Sequence, residues 1–122
     1  MGLTPPDPDD SRVDVALRAL AEPRRREILR LVIGQELAVG EIAAAFSVTR
    51  PAISQHLAVL REAGLVEQRQ VGTRNLYSGR AEGLAEVRSY LDQMWSSALD
   101  VARQITETEA GTATHEERRS AG

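Results

Sequence analysis

The sequence contains no cysteine, and aromatic residues make up only 3% of its 122 positions. Without cysteine, the chain can form neither a disulfide framework nor a thiolate metal site. Because aromatic side chains are so few, a hydrophobic core must be built mainly from Leu, Val, Ile and Ala, and the 42% hydrophobic content suffices for one. The length predicts a single domain with short tails.

A long apolar run is also missing from the sequence. No segment approaches the ~20 consecutive apolar residues that a membrane-spanning helix needs. No N-terminal basic segment followed by an apolar one indicates a secretory signal. We therefore expect a cytoplasmic protein with no membrane partner.

Sequence motifs of enzymes are absent as well. There is no Gly-rich phosphate loop, no nucleophile elbow and no HExxH pair. Histidine occurs only twice, as His56 and as His115 near the C-terminus. We predict no catalytic residues and no cofactor.

The distribution of charge is more informative than its total. The net charge is −3 and the sequence pI is about 5.4, which is mildly unfavourable for a nucleic-acid-binding protein. However, residues 11–30 carry six Arg against three acids, and residues 47–80 carry five Arg against two Glu. Positive charge is thus concentrated in two segments, and negative charge lies outside them.

Residues 49–78 are predicted to form a helix that ends at a glycine, followed by two strands. Thr49 is a good N-cap, Pro51 fits the first helical turn, and Gly64 suits the left-handed position that ends a helix. At 100° per residue the apolar positions form one stripe, and the opposite side carries small, amide or hydroxyl side chains. The stripe is Ile53, Leu57 and Leu60; the opposite side is Pro51, Ser54, Gln55, Ala58 and Glu62.

Three shorter helices are predicted before this segment. The first follows a disordered tail over residues 1–10, is capped by Asp10 or Ser11, and has apolar residues at spacings of three and four. The second begins at Pro23 and the third covers about residues 39–46, so that the third helix and the one after Thr49 form a helix–turn–helix. The apolar positions of the first helix are Val13, Ala16, Leu17 and Leu20.

Three stretches of the chain read LAEPRRREILRLV, ELAVGEIAAAFSVTRPAISQHL and SQHLAVLREAGLVE, and a Gly-tipped hairpin follows the last of them. Together they resemble the ArsR family of bacterial winged-helix regulators. The resemblance covers roughly residues 13–107. It implies a mainly α fold with a small β-hairpin wing, and a homodimeric repressor that binds double-stranded DNA and blocks a promoter sterically.

The helix after Thr49 is the predicted reader of DNA. Ser54 and Gln55 lie on its outer face, where short polar side chains can reach base edges in the major groove. Arg50 and Arg61 flank that face, and Arg69, Thr73 and Arg74 lie near the hairpin tip, where they could reach a phosphate or the minor groove. His56 lies on the shoulder of the helix, and both a contact with phosphate or backbone and a purely structural role remain open.

The last predicted helix, residues 81–107, is long and has a continuous apolar stripe. At ~1.5 Å per residue it would be ~40 Å long, more than one small domain can cover, so we expect a second copy to cover it; packing within one chain alone is the alternative. Residues 108–122, rich in Thr, Glu and Gly, are predicted to be a disordered tail. The predicted dimer interface contains Val13, Leu17, Leu20, Leu84, Val87, Leu91, Met94, Trp95, Ala98, Val101 and Ile105.

The residues that bind metals in relatives are missing at the matching positions. The thiolate site of the family resembles Glu-Leu-Cys-Val-Cys, whereas residues 36–40 read Glu-Leu-Ala-Val-Gly. The family's other site uses histidines of the last helix, and residues 81–107 contain none. We expect no metal site and no metal sensing, and the sequence does not identify a small-molecule effector.

A winged helix can also serve as a protein–protein interaction module, and the acidic pI weakly favours that alternative. The polar outer face of the predicted reading helix argues against it, because protein-binding faces more often carry exposed apolar anchors.

Overall fold

The computed structural model describes the backbone of residues 8–120 and the side chains of residues 11–108. Within that range the fold is mainly helical with one small antiparallel sheet. The elements follow in the order α1 (Pro8–Leu20), α2 (Pro23–Val32), β1 (Leu37–Ala38), α3 (Val39–Phe46), α4 (Arg50–Glu62), β2 (Val66–Val71), β3 (Arg74–Gly79) and α5 (Ala81–Ser120).

Helices α2, α3 and α4 lie where the sequence predicts them, and local signals explain their ends. Pro23 occupies the first turn of α2, where a missing N–H costs nothing. The hydroxyl of Thr49 accepts a hydrogen bond from the backbone N–H of Ala52 at 3.3 Å, which caps α4. After α4, Gly64 adopts a φ of 75°, a left-handed conformation that favours glycine.

The sheet has three strands in the order β1-β3-β2, one more than the predicted hairpin. Strands β2 and β3 form the hairpin that we call the wing, residues 66–79, with Gly72 at φ 61° in its turn. The additional strand β1 has two residues, and Leu37 pairs with Tyr77 of β3. A strand this short carries no periodicity of its own, so the sequence gives no sign of it.

The core lies where the inner faces of the helices meet the sheet. Its fully buried side chains are all aliphatic, and partly buried Leu37 and Tyr77 pack against them from the sheet. The inner stripe of α4 is completely buried, as predicted, so the orientation of that helix is fixed by apolar burial. The largest fully buried side chains are Ile28, Ile42, Ile53, Leu57, Leu60, Leu65, Val32 and Val66.

The two terminal helices are longer than the sequence predicts. Helix α1 begins at Pro8 rather than at a cap at Asp10 or Ser11, and proline is well suited to a first helical position. Helix α5 continues to Ser120 and does not end near residue 107. The predicted N-terminal tail lies outside the described residues over positions 1–7, and the division into one domain and two tails remains a prediction.

The chain divides into two compact units, the first ending at Arg88 and the second beginning at Ser89. In the first unit, Val13 and Val87 are only 5% and 6% exposed in a single chain, and Leu17, Leu20 and Leu84 pack against the core. Val13 and Val87 are therefore buried within one chain, Leu17, Leu20 and Leu84 are partly buried against the same core, and a dimer contact by these five residues remains a prediction. The rest of the predicted interface, in the second unit, is exposed: Leu91, Met94, Trp95, Ala98, Val101 and Ile105.

Among the described residues, no helix combines the length and the apolar character that crossing a membrane requires.

Candidate nucleic-acid interface

The outer face of α4 is polar, exposed and without large apolar groups. Ser54, Gln55 and Ala58 are exposed, and they lie opposite the buried stripe of the same helix. Short side chains permit close approach to a duplex, and hydroxyl and amide groups can both donate and accept hydrogen bonds. The structure therefore presents the two predicted base-reading residues, Ser54 and Gln55, on one accessible surface.

Arg50 lies at the N-terminal end of that surface with its guanidinium over Gly40 of α3. A β-carbon placed on Gly40 would lie 2.9 Å from Nη2 of Arg50, so the glycine provides the space in which the arginine rests. The Arg50 side chain makes no hydrogen bond or ion pair with the other described residues. It borders a surface concavity of about 550 Å³ that Glu41, Arg74 and Asn75 also line.

Arg61, at the other end of α4, is hydrogen-bonded within the chain. Its Nη1 donates to Oε1 of Gln68 on β2. This bond connects the last turn of the helix to the wing and leaves the other N–H groups of the guanidinium free.

His56 does not face outward with Ser54 and Gln55. Its side chain is about four-fifths buried, and Nε2 lies 3.9 Å from Oε1 of Glu22, the residue before α2. Glu22 also forms an ion pair with Arg25 at 3.2 Å. This largely buried position next to a carboxylate is better suited to packing between helices than to reading bases, and a DNA contact by His56 remains a prediction.

The two wing arginines, which the sequence places near a phosphate or the minor groove, are each paired with a carboxylate of the same chain. Arg69 donates from Nε and Nη2 to the two carboxylate oxygens of Glu36, at 2.9 and 2.7 Å. The Arg69 hydrogen bond holds the pKa of Glu36 below its ordinary value and raises that of Arg69. Arg74 donates from Nη2 to Oε1 of Glu41 at 2.8 Å. Thr73, between the wing strands, is exposed and lies beside Gly72.

The arginine run at the start of α2 has mainly structural partners. Arg25 and Arg26 donate to the backbone carbonyls of Ala19, Leu20 and Ala21, where α1 ends. Arg24 forms an ion pair with Glu27, and its guanidinium carbon lies 5.2 Å from the ring centre of Phe46. The bonds from Arg25 and Arg26 satisfy carbonyls at the end of α1, which have no partner within that helix.

Glu36 and Glu41 are the site residues that the sequence did not reveal. They pair with arginines 33 positions further along the chain, and no local period connects them. Only the position of Glu41, three residues after Ala38, is a local signal, because its carboxylate accepts a hydrogen bond from the Ala38 N–H at 3.1 Å.

At the thiolate motif of the family, this chain lacks both cysteines. Ala38 and Gly40 stand where the thiolate motif has cysteines. Within residues 11–108, no group of three or more His, Cys, Asp or Glu side chains is arranged to hold a metal ion.

Helices α3 and α4 form a helix–turn–helix, the wing follows them in the chain, and the outer face of α4 is polar and exposed. Together these features define a winged helix–turn–helix protein. Residues 22–68 match the family described as "Bacterial regulatory protein, arsR family". The chain is 45% identical over 96 residues to the HTH-type transcriptional regulator Rv2034 of Mycobacterium tuberculosis, which covers 79% of this chain and 90% of that protein. The chain therefore belongs to the ArsR family of DNA-binding transcription regulators and is not an enzyme.

Two further comparisons extend the similarity. The transcriptional activator HlyU of Vibrio cholerae is 36% identical over 78 residues, which are 64% of this chain and 72% of HlyU. The solution structure of the homodimeric winged helix-turn-helix DNA-binding domain of Mb0332 from Mycobacterium bovis superposes with a TM-score of 0.60 at 30% identity. It covers 81% of this chain and 94% of that domain.

Proposed function

We propose that this protein is a sequence-specific repressor that binds an inverted-repeat operator as a homodimer and does not sense metal ions. The observation that carries the proposal is the outer face of α4, where Ser54 and Gln55 are exposed opposite a completely buried apolar stripe. No large apolar side chain lies on that face, so it fits a DNA groove better than a protein partner.

In this proposal the side chains around α4 contact different parts of the DNA. Gln55 and Ser54 contact base edges, and Gln55 can form the bidentate pair with adenine that amide side chains favour. Arg50, whose charge has no partner among the described residues, contacts a phosphate at the N-terminal end of α4. Arg61 contacts a phosphate at the other end through the N–H groups that its bond to Gln68 leaves free.

The homodimer is supported by the exposed apolar side chains of α5 and by the homodimeric domain of Mb0332. Large apolar groups in one helix region favour burial against a partner. A two-fold dimer would place its two α4 helices about one DNA turn apart, ~34 Å, and would require an inverted repeat.

Repression is the simpler of two regulatory outcomes, because occupation of a promoter needs no contact with the transcription machinery. HlyU is named an activator, so the direction of regulation is part of the test. A reporter gene behind the bound promoter should be expressed less when the protein is present. Higher expression would make the protein an activator and leave the DNA-binding proposal intact.

The proposal is tested by recovering genomic fragments on the purified protein and measuring its affinity for them over a series of salt concentrations. The logarithm of the affinity should fall linearly with the logarithm of salt concentration, with a slope of about −0.9 for each phosphate contacted. Binding that is independent of salt, or no enrichment of any fragment, would favour the protein–protein interaction module. Stoichiometric Zn²⁺ should leave the affinity unchanged, and a tenfold shift would contradict the absence of metal sensing.

A further inference from the structure

The two wing arginines each have one acidic partner, and the two acids come from one short segment. Glu36 precedes β1 and Glu41 lies in the first turn of α3, only five positions apart. Arg69 and Arg74 belong to β2 and β3 of the wing. The segment over residues 36–41 therefore supplies a carboxylate for each of the two arginines.

The sheet register explains how Arg69 reaches an acid two strands away. Arg69 pairs with Leu76 on β3, and Leu76 pairs with Ala38 on β1, so these three residues lie in one row on the same face. Directly opposed residues project to the same side of an antiparallel sheet. Glu36, two residues before Ala38, continues that face, and the Arg69 side chain crosses β3 to meet it.

Glu41 is held in place by a second bond. Its Oε1 accepts hydrogen bonds from the backbone N–H of Ala38 at 3.1 Å and from Nη2 of Arg74 at 2.8 Å. The first of these bonds caps the N-terminus of α3 and fixes the carboxylate beside the wing. Arg74 is therefore paired with a positioned anion and not with a freely rotating one.

All four side chains remain accessible to solvent. Arg69 and Glu36 are 63% and 36% exposed, and Arg74 and Glu41 are 63% and 50% exposed. Exposed ion pairs contribute little to folding stability, because water and salt screen them. Stability alone thus does not account for two matched pairs at the edge of a DNA-binding surface.

We propose that Glu36 and Glu41 are internal competitors for the DNA phosphates that Arg69 and Arg74 would otherwise bind. This inference rests on the proposed function, since it assumes that the wing approaches a duplex. A phosphate that binds either arginine must share the guanidinium with the carboxylate or displace it, and a carboxylate that stays near the duplex repels the phosphate. The two acids therefore lower the affinity of the wing for any DNA.

The test compares affinities for a random-sequence duplex in the full-length protein, because phosphate contacts dominate binding to such DNA. The variants are Glu36→Gln and Glu41→Gln, and glutamine at position 41 can still accept the Ala38 N–H. The matched control is Glu67→Gln, which also removes one negative charge. Glu67 lies on β2, two residues before Arg69 and on the same face of the strand. Glu67 is exposed and makes no ion pair with the other described residues.

Each of the two glutamine variants should bind the random duplex about three- to tenfold more tightly at 0.1 M salt, with a salt slope steeper by about 0.9. Glu67→Gln should change the affinity by no more than about twofold, because a charge without a direct contact is screened. In an Arg69→Gln background, Glu36→Gln should lose its extra gain. All variants should melt within about 4 °C of the wild type.

The outcomes separate this inference from the proposed function. Weaker binding by Glu36→Gln would show that the acid positions Arg69 for DNA, and a gain equal to that of Glu67→Gln would show a general charge effect; either contradicts the inference alone. Failure of the wild type and of all variants to bind any duplex would contradict the proposed function and the inference together.

Discussion

At the residue scale, the arginines near the interface differ in how much of their charge is available to DNA. Arg25 and Arg26 satisfy backbone carbonyls at the end of α1, and Arg69 and Arg74 are paired with carboxylates. Arg50 alone, among the arginines predicted to contact DNA, makes no hydrogen bond or ion pair with the described residues. The positive charge counted in the sequence therefore overstates what the folded chain offers to phosphate.

The Arg69–Glu36 pair gives a prediction about pH. The hydrogen bond from Arg69 lowers the pKa of Glu36, so the pair is fully formed above the ordinary glutamate pKa of 4.5. Its contribution is lost as the pH falls through the lowered, folded-state pKa. An NMR titration of the Glu36 side chain should give a midpoint that moves up in the Arg69→Gln variant. The same midpoint in both proteins would contradict the pairing in solution.

At the element scale, the start of α5 depends on a glycine. A β-carbon on Gly83 would lie 2.0 Å from the carbonyl oxygen of Gly64, a backbone atom that cannot rotate away. Gly64 ends α4 in a left-handed conformation, so the two glycines fix how α5 begins beside the end of α4. This contact lies entirely within the first unit.

Gly83→Ala should lower the free energy of unfolding by about 1–3 kcal/mol, because the clash outweighs the better helix propensity of alanine. The matched control is Gly40→Ala, also in a first helical turn, where the added carbon meets only the flexible end of Arg50. The control should be nearly neutral in stability. Urea denaturation of both variants checks this, and equal destabilisation would mean that the Gly83 contact is not specific.

Local signals in the sequence were sufficient for α2, α3 and α4. Pro23, Thr49 and Gly64 each act on their own neighbours, and the apolar period of α4 identifies its buried side. Strand β1 escaped prediction because its two residues depend on partners almost forty positions away in β3. The predicted end of α5 near residue 107 differs from the structure, because Thr and Gly near residue 111 lower helix propensity without ending the helix, which continues to Ser120.

The candidate site was predictable only where it depends on local sequence. The outer face of α4 follows from period and composition, and Ser54 and Gln55 are exposed there as expected. The pairing of Arg69 and Arg74 was not predictable, since it requires the register of β1, β2 and β3. Likewise, the apolar stripe of α5 was evident, but only the fold reveals that Val87 packs within its own chain while Leu91 remains exposed.

At the scale of the whole molecule, the proposed dimer would link α5 to operator binding. Leu91 is 41% exposed in a single chain, and Leu91→Asp would place an unpaired charge in the proposed contact between two copies. Operator binding should collapse although no DNA-facing residue has changed. The matched control is Gln93→Asp, which adds the same residue about 200° around the same helix.

Sedimentation and operator binding, measured on the same samples, check the dimer. Leu91→Asp should sediment as a monomer or unfold, and Gln93→Asp should remain a dimer with nearly wild-type affinity. A wild-type protein that is monomeric at micromolar concentration yet binds a single half-site tightly would contradict the proposed assembly.

The outer face of α4 is the surface proposed to read DNA sequence, and Gln55 lies at its exposed centre beside Ser54. Affinities of the wild type, Gln55→Ala and the control Gln93→Ala are measured for a recovered genomic fragment and for a scrambled duplex at one salt concentration. Gln55→Ala should lose about 1–3 kcal/mol on the genomic site and almost nothing on the scrambled duplex, whereas Gln93→Ala should change neither. Equal losses by Gln55→Ala on both duplexes, or no loss on either, would contradict the claim.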